Sequence, residues 1–362
     1  MDLDELRQRL SAVDAELIKL IGERQSIVAE VSAHKIETGT ATRDFGREAD
    51  ILRRVQQQSS ELGIDPDIAL GIMRLLIRSS LTHQEQTRVA AESSGAGHRA
   101  LVIGGAGKMG RWLSHFLASQ KFEIEIADPS QEELPYSQIG DWRKSSLEHD
   151  LIVVAAPIKV TAKILADLAD RQPGGLIMDV GSLKTPLKGS FDRLVAAGCN
   201  VTSIHPMFGP ETRLLSERHV IFVDVGVPAA TVEARGLFES TMVECVDMSL
   251  EEHDRLIGYV LGLSHALNLA FFTALAASGE LVPHLKRLSS TTFDAQLDIA
   301  SRVAGENPHL YYEIQVLNEY GKAPLDALVN ATEHVRDLIA GGDEEGFVAL
   351  MEEGCQYLEL NG

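Results

Sequence analysis

The sequence predicts three architectures in one chain: an all-α three-helix module, an α/β domain built on a doubly wound parallel sheet, and an all-α C-terminal domain. Apolar residues recur at helical spacing through the first ninety positions; short β-type runs then alternate with helical stretches; from about residue 249 the strand signal stops. A length of 362 residues fits such a division, at roughly 100–200 residues per domain.

The first helix is read from Leu3, Leu6, Leu10, Val13, Leu17, Leu20, Ile27 and Val31, which repeat with helical period over 3–34. A second covers about 48–61 and is ended by Gly63 and Pro66; a third covers 66–89. Three helices, one very long, cannot bury their apolar faces as one flat layer, so the module is expected to dimerise or pack on something else. The Gly/Ser-rich stretch 91–98 reads as a linker. The expected division is therefore 1–90, 91–98, 99–248 and 249–362. Strands are expected at 100–104, 122–128, 151–156, 175–180, 201–204 and 219–225.

A formal net charge of −20 argues against nucleic acid or an anionic membrane as partner. Residues 1–90 carry 12 Lys+Arg against 15 Asp+Glu, so most of the deficit falls on the remainder. An anionic substrate would therefore need local clusters of cations. Cys199, Cys245 and Cys355 share no metal-ligand or disulfide spacing, so no metal site is predicted and a reducing, cytoplasmic setting is expected. The N-terminal residues are charged throughout, which does not read as a secretory signal. The apolar stretch 260–279 approaches membrane-span length but contains Ser264, His265 and Asn268, and is expected to be a helix buried at a domain or subunit core.

Gly105-Ala106-Gly107-Lys108-Met109-Gly110 spells G-x-G-x-x-G between a predicted strand and a predicted helix. Glycines there permit a tight turn and let backbone N–H groups approach a pyrophosphate at the helix N-terminus. Asp128 ends the next strand, 21 residues after Gly107. Its carboxylate suits a ribose 2′-hydroxyl, and Pro129 and Ser130 supply no cation for a 2′-phosphate, so NAD is the expected cofactor of a Rossmann-type domain. Further along, His205-Pro206-Met207-Phe208-Gly209-Pro210 follows the strand at 201–204, where a loop histidine at a strand end suits proton transfer. A structural histidine beside a turn fits the same spacing.

That hexapeptide, with the glycine turn and Gly181-Ser182-Leu183-Lys184, resembles the prephenate dehydrogenase family over about 99–362. Further matching segments are His253-Asp254, His265 and the stretch ending in Arg302. The resemblance implies that His205 accepts the proton of the substrate 4-hydroxyl while hydride passes to the nicotinamide, ring carboxylate leaving as carbon dioxide. Ser182 would hydrogen-bond that histidine; His265 and Arg302 would contact substrate. Lys184 departs from the family's usual Ser-Val-Lys context, and His253 and Asp254 are expected only to cap a helix start.

In the first module the apolar faces carry polar groups. At ~100° per residue, Arg24 and Lys35 share a side with Val28 and Val31; Glu48 lies with Ile51, Leu52 and Val55; Ser80 and Gln84 fall in line with Met73, Leu76 and Ile77. With Asp44 and Arg47, this inventory fits a small dianion bearing a hydroxyl; internal salt bridges such as Arg24 or Lys35 with Glu48 fit it as well. The segment 3–90 resembles the all-helical chorismate mutases, with Arg7, Arg24, Lys35, Asp44, Arg47, Glu48, Ser80 and Gln84 at the family's active-site positions. The resemblance implies two interlocked chains, Arg7 reaching the partner's site, the arginines orienting two carboxylates, Glu48 taking the substrate hydroxyl, and Lys35 and Gln84 donating to the breaking ether oxygen. Expected partners are then chorismate and prephenate, a second copy in a homodimer, and tyrosine as a candidate feedback ligand. Two alternatives stand: a first module serving only dimerisation or regulation, and a dehydrogenase acting on arogenate.

Overall fold

The computed structural model describes residues 2–130 and 132–360. Contacts divide the chain into two units, one of 1–156, 164–181 and 191–248, the other of 157–163, 182–190 and 249–362.

The first unit opens with helix α1 (Leu3–Glu37), which begins in a reciprocal cap between Asp2 and Glu5 and ends with Lys35 in its last turn. Helix α2 (Phe45–Glu61) is capped by Asp44, whose side chain accepts from Arg47 N–H; α3 (Pro66–Ala91) is capped by Asp65 with Pro66 in its first turn. Helix α3 packs on both α1 and α2. The N-terminal half of α1 is left uncovered among the described residues: Leu10 and Leu17 are 62% and 54% exposed. A stripe this apolar belongs against another surface.

The α/β part runs β1 (Arg99–Ile103), α4 (Lys108–Ser119), β2 (Glu123–Ala127), β3 (Ser137–Ile139), β4 (Leu151–Val154), α5 (Ile158–Arg171), β5 (Leu176–Asp179), α6 (Lys188–Ala196), β6 (Val201–Pro206), β7 (His219–Asp224), α7 (Pro228–Gly236) and β8 (Glu244–Ser249). The sheet order is β3-β2-β1-β4-β5-β6-β7-β8. Strands β4 and β5 are buried at every residue, as covering both faces of a parallel sheet requires. The expected parallel winding holds from β3 to β6. It reverses at the next pairing, where β7 runs antiparallel to β6 with Ile221 opposite His205. That pairing draws His205 and Pro206 into β6, so the histidine sits in a strand and not in the loop expected after it.

The three-helix module rests directly on the α/β part. Ile77 and Leu81 of α3 form a buried cluster with Leu214, backed by Ile51, Leu52, Met73 and Met242. Each such aliphatic side chain withdrawn from water contributes about 1.5–3 kcal/mol.

In the second unit, 249–362 are helical: α8 (Leu250–Ile257), a six-residue π-helical segment (Gly258–Leu263), α9 (Ser264–Ser278), α10 (Val282–Lys286), α11 (Thr291–Ala304), α12 (Pro308–Leu317), α13 (Lys322–Gly341) and α14 (Glu344–Leu360). Gln315 on α12 donates to the Gly262 carbonyl at 2.8 Å, satisfying a group in the widened turn. The helical run Leu250–Ser278 is apolar and long enough to cross a membrane by length and composition, yet little of it is covered within the chain. Of the two settings expected for 260–279, a domain core or a subunit core, the first fails: Val260 and Leu267 are about half exposed within this chain.

Candidate active sites

The glycine turn follows β1. Gly104, with φ +84°, adopts a conformation costly for other residues, and a Cβ there would lie 2.6 Å from the Ala155 carbonyl oxygen. A Cβ on Gly110 would come within 2.2 Å of the Gly104 oxygen, so α4 can start this close to β1 only with glycine. Gly107 caps α4 without any side-chain bond, leaving the first-turn N–H groups of Lys108, Met109 and Gly110 aimed at the turn. Asp128 accepts from Ala106 N–H at 3.1 Å and Ser130 N–H at 2.8 Å, so its carboxylate faces the turn with lone pairs remaining. A bare helix N-terminus, a Cβ-free approach at Gly105 and Gly110, and a carboxylate beside it fit the pyrophosphate and ribose of a dinucleotide. Arg111, a cation near this site, is engaged by Glu132 and by the Ala106 carbonyl.

His205 is 5% exposed. The segment after it is held at several points. Trp112 Nε1 donates to the Thr212 carbonyl at 2.8 Å, and its ring meets Phe208 edge-on at 4.9 Å. Glu85 of α3, also buried, accepts from Leu215 N–H at 2.8 Å through one oxygen and from Met242 N–H at 2.7 Å through the other. Burial pushes the Glu85 carboxyl up, and these two N–H groups pull against it.

Within the three-helix module, Ser80 and Gln84 are buried on α3. Arg24, half-buried on α1, donates to the Ser80 hydroxyl and to the Leu76 carbonyl. The Gln84 Oε1 atom is buried with no hydrogen-bond partner among the described residues. Lys35 donates to the Thr42 carbonyl at 2.6 Å; burial lowers its pKa, with Asp44 and Glu48 opposing. Among the described residues no acid pairs with Arg24 or Lys35, whose partners are Ser80, Leu76 and Thr42, so the alternative of internal salt bridges through these two does not describe the module. Glu48 is engaged instead by Arg43, whose guanidinium donates to both its oxygens at 2.9 and 3.0 Å and continues to Ser216 and Glu217. Asp44 and Arg47 are exposed, with Asp44 serving as the α2 cap. They do not join the inward set in this chain. Arg7 lies on the exposed half of α1, paired with Asp4 at 3.2 Å.

In the second unit Ser182 is half-buried, and Lys184 beside it is fully buried. Asp254 does not cap α8, a role Ser249 fills; it sits in the helix interior. There it accepts from the backbone N–H groups of Lys184 (2.9 Å) and Thr185 (2.7 Å), from the Thr185 hydroxyl (2.5 Å) and from His253 Nδ1 (2.7 Å). Burial raises its pKa, and these donors outweigh it, leaving the group below the usual carboxylate range. His265 is buried and stacks on Tyr311 with ring centroids 3.9 Å apart; burial takes its pKa down to about 4. Its Nδ1 has no hydrogen-bond partner among the described residues. Arg302 is exposed in the last turn of α11.

Three family profiles match in order: chorismate mutase type II over residues 6–85, prephenate dehydrogenase nucleotide-binding domain over 124–228, and prephenate dehydrogenase dimerization domain over 249–353. The chain is 25% identical to the T-protein of Enterobacter agglomerans over 360 residues, 98% of this chain and 93% of that one. Its first module is 31% identical to the chorismate mutase of Methanocaldococcus jannaschii over 84 residues, 23% of this chain and 85% of that one. The chain belongs to the chorismate mutase/prephenate dehydrogenase family. It is also 26% identical to a probable arogenate/prephenate dehydrogenase of Methanocaldococcus jannaschii, covering 71% of this chain but only 60% of that protein's length. In fold it is similar to prephenate dehydrogenase from A. aeolicus, solved in complex with hydroxyphenyl propionate and NAD+, with TM-score 0.58, 20% identity, and coverage of 74% of this chain and all of that one.

Within this mutase–dehydrogenase, four residues beside the sites escaped the sequence reading. Gly104 precedes the three motif glycines and carried a signal, being one more glycine after an apolar strand. Glu85 also left a trace, because Ile77, Leu81, Glu85 and Val89 recur every four residues and mark a second buried face of α3. Arg43 and Trp112 left none: their partners lie 173 and 100 residues away.

Proposed function

We propose that the chain rearranges chorismate to prephenate in its first module and then oxidatively decarboxylates prephenate to 4-hydroxyphenylpyruvate with NAD. What carries this reading is the coexistence of two unlike sites in one chain: a buried amide oxygen at Gln84, unpartnered among the described residues, beside Arg24 and Ser80, and a glycine turn after β1 with a buried His205 on β6 of the same sheet.

The first reaction breaks and makes bonds inside one molecule, so the protein need only hold a compact conformer and stabilise charge on the ether oxygen. Lys35 and the Gln84 amide are the proposed donors to that oxygen. Arg24, Arg47 and Arg7 of a partner chain would orient the carboxylates, Ser80 would steady Arg24, and Asp44 and Glu48 would accept from the substrate. Glu48, already held by Arg43, is oriented to accept a hydroxyl. In the second reaction NAD, held by Gly105, Gly107, Lys108, Met109, Gly110 and Asp128, supplies the hydride acceptor. His205 takes the 4-hydroxyl proton, Ser182 assists it, and His265 and Arg302 bind substrate. A His265 that stays neutral can donate or accept one hydrogen bond without attracting a counter-ion, while the exposed guanidinium of Arg302 suits a carboxylate. Prephenate is favoured over arogenate because the first module would generate it.

A homodimer is proposed from the bare apolar face of α1 and the uncovered run Leu250–Ser278, the latter within the segment similar to a dimerization domain. A cytoplasmic setting and the boundaries 1–90, 91–98, 99–248 and 249–362 belong to the same proposal.

Two substitutions test it. His205→Asn should abolish NADH formation and leave chorismate consumption intact; Lys35→Ala should do the reverse when prephenate is supplied. Equal loss of both activities in either variant would refute the partition.

A further inference from the structure

Along α3 two cavities run into one another. The first, about 670 Å³, is lined by Arg78, Ser80 and His83 of α3 and by Glu211, Arg213 and Arg218 of the segment after the histidine motif. The second, about 910 Å³, takes in Pro210 and, at the start of α4, Lys108 and Arg111. Gln86, Glu211, Thr212 and Arg213 line both. One end of the groove touches Ser80, which Arg24 bonds, and the other touches the open N-terminal turn of α4. The first cavity is not the mutase site itself, since Lys35, Glu48 and Gln84 do not line it.

The charge of this groove opposes that of the chain. With 53 acids against 33 Lys+Arg overall, an arbitrary surface groove should be acidic. Here the lining carries Arg78, Arg213, Arg218, Lys108 and Arg111 against two acids, Glu85 and Glu211, with Arg111 held from outside the groove by Glu132. Both oxygens of Glu85 are already taken by backbone N–H groups. Arg218 Nε is buried and has no hydrogen-bond partner among the described residues. The guanidinium groups of Arg78, Arg213 and Arg218, which pair with no acid among the described residues, are set among Val28, Leu75 and Leu214 and the hydroxyls of Ser79 and Thr82, and make a surface for a small carboxylate carrying an apolar ring.

We propose that this groove is a transit path, which receives the ring dicarboxylate released beside Ser80 and passes it along Arg78, Arg218 and Arg213 toward the dinucleotide turn. The inference rests on the function proposed above. A cleft of one sign with low-dielectric walls raises the local concentration of a counter-ion by about 10–10³. The surrounding negative surface adds to this by making escape from the groove unfavourable for a dianion.

The test is an isotope-dilution experiment on the full-length enzyme. Ring-labelled chorismate is converted with NAD in the presence of excess unlabelled prephenate, and the label reaching 4-hydroxyphenylpyruvate is measured early. The native enzyme should give product labelled about tenfold above the value for free mixing. Arg213→Ala with Arg218→Ala should bring labelling down to free mixing and lengthen the lag before NADH appears, with kcat and KM of each step assayed alone within about twofold of native. On the unaltered enzyme, salt should do the same as the Debye length falls from about 8 Å at physiological strength to about 3 Å at 1 M. Free mixing in the native enzyme overturns the path, as does full retention in the double variant or at high salt. Absence of either separate activity from the native enzyme would instead overturn the functional reading.

Discussion

Replacing Glu85 should loosen the seam between the helical module and the segment after His205. Its two oxygens each accept one backbone N–H, from Leu215 at 2.8 Å and Met242 at 2.7 Å, in a site only 3% exposed. Glu85→Ala strands both donors, and a buried N–H without an acceptor costs about 1–3 kcal/mol, so the loss is bounded at roughly 2–6 kcal/mol. Part is offset, because burial already disfavours the ionised carboxylate, as its raised pKa shows. The lower half of the range, about 2–4 kcal/mol, is therefore expected. Glu85→Gln keeps one acceptor oxygen and turns an NH2 toward the other N–H, so it should cost about 1–3 kcal/mol and not be neutral. Urea unfolding followed by tryptophan fluorescence measures this selectively, because both tryptophans, Trp112 and Trp142, belong to the first unit. Hydrogen exchange at the amides of residues 215 and 242 reports the same loss locally. A Glu85→Ala protein within about 0.5 kcal/mol of native, with both amides still protected, would refute the clamp.

Three further outcomes follow from the geometry. Because the Gln84 amide does not titrate, mutase rate should stay nearly flat between about pH 6 and 8, whereas in Gln84→Glu it should fall as pH rises and the carboxyl loses its proton; a steep decline in the native enzyme would contradict the assignment. Gly110→Ala, which sets a Cβ 2.2 Å from the Gly104 oxygen, should weaken NAD binding by at least about tenfold, read by fluorescence titration, and leave chorismate turnover unchanged. His265, held down to about 4 when folded, binds its proton later than in the unfolded chain, so its contribution is present above about pH 6.5 and is lost as pH falls toward 4. Going from about pH 7.5 to about pH 5 should cost roughly 2 kcal/mol through this group. His265→Gln should remove that share of the acid sensitivity in denaturant titrations, and an unchanged pH slope would count against it.

Much of this fold was legible in the sequence because local physics dominates it. The capped amphipathic helices α1 to α3 and the fully apolar β4 and β5 carry their patterns within a few residues. Strand β3 is three residues long and β8 is only half-buried, so neither shows an apolar run strong enough to read. The reversal at β7 was hidden because a buried antiparallel strand looks like a parallel one. Motif residues Gly105, Gly110, Asp128 and His205 stood out by spacing and residue type. The Glu85 clamp and the Arg43 link did not, because what makes them matter is a partner 130 to 174 residues away. Helix α9 shows a different failure: its apolar composition was plain, but sequence alone could not tell cover by the same chain from cover by another.

The central claim, two successive reactions in one chain, is tested most directly in a single cuvette. Chorismate is supplied without NAD and its absorbance followed; NAD is then added and NADH followed. The account predicts that chorismate disappears before NAD is present and that NADH rises only afterwards. Chorismate that persists until NAD arrives, or that is consumed with no NADH after NAD is added, would contradict it.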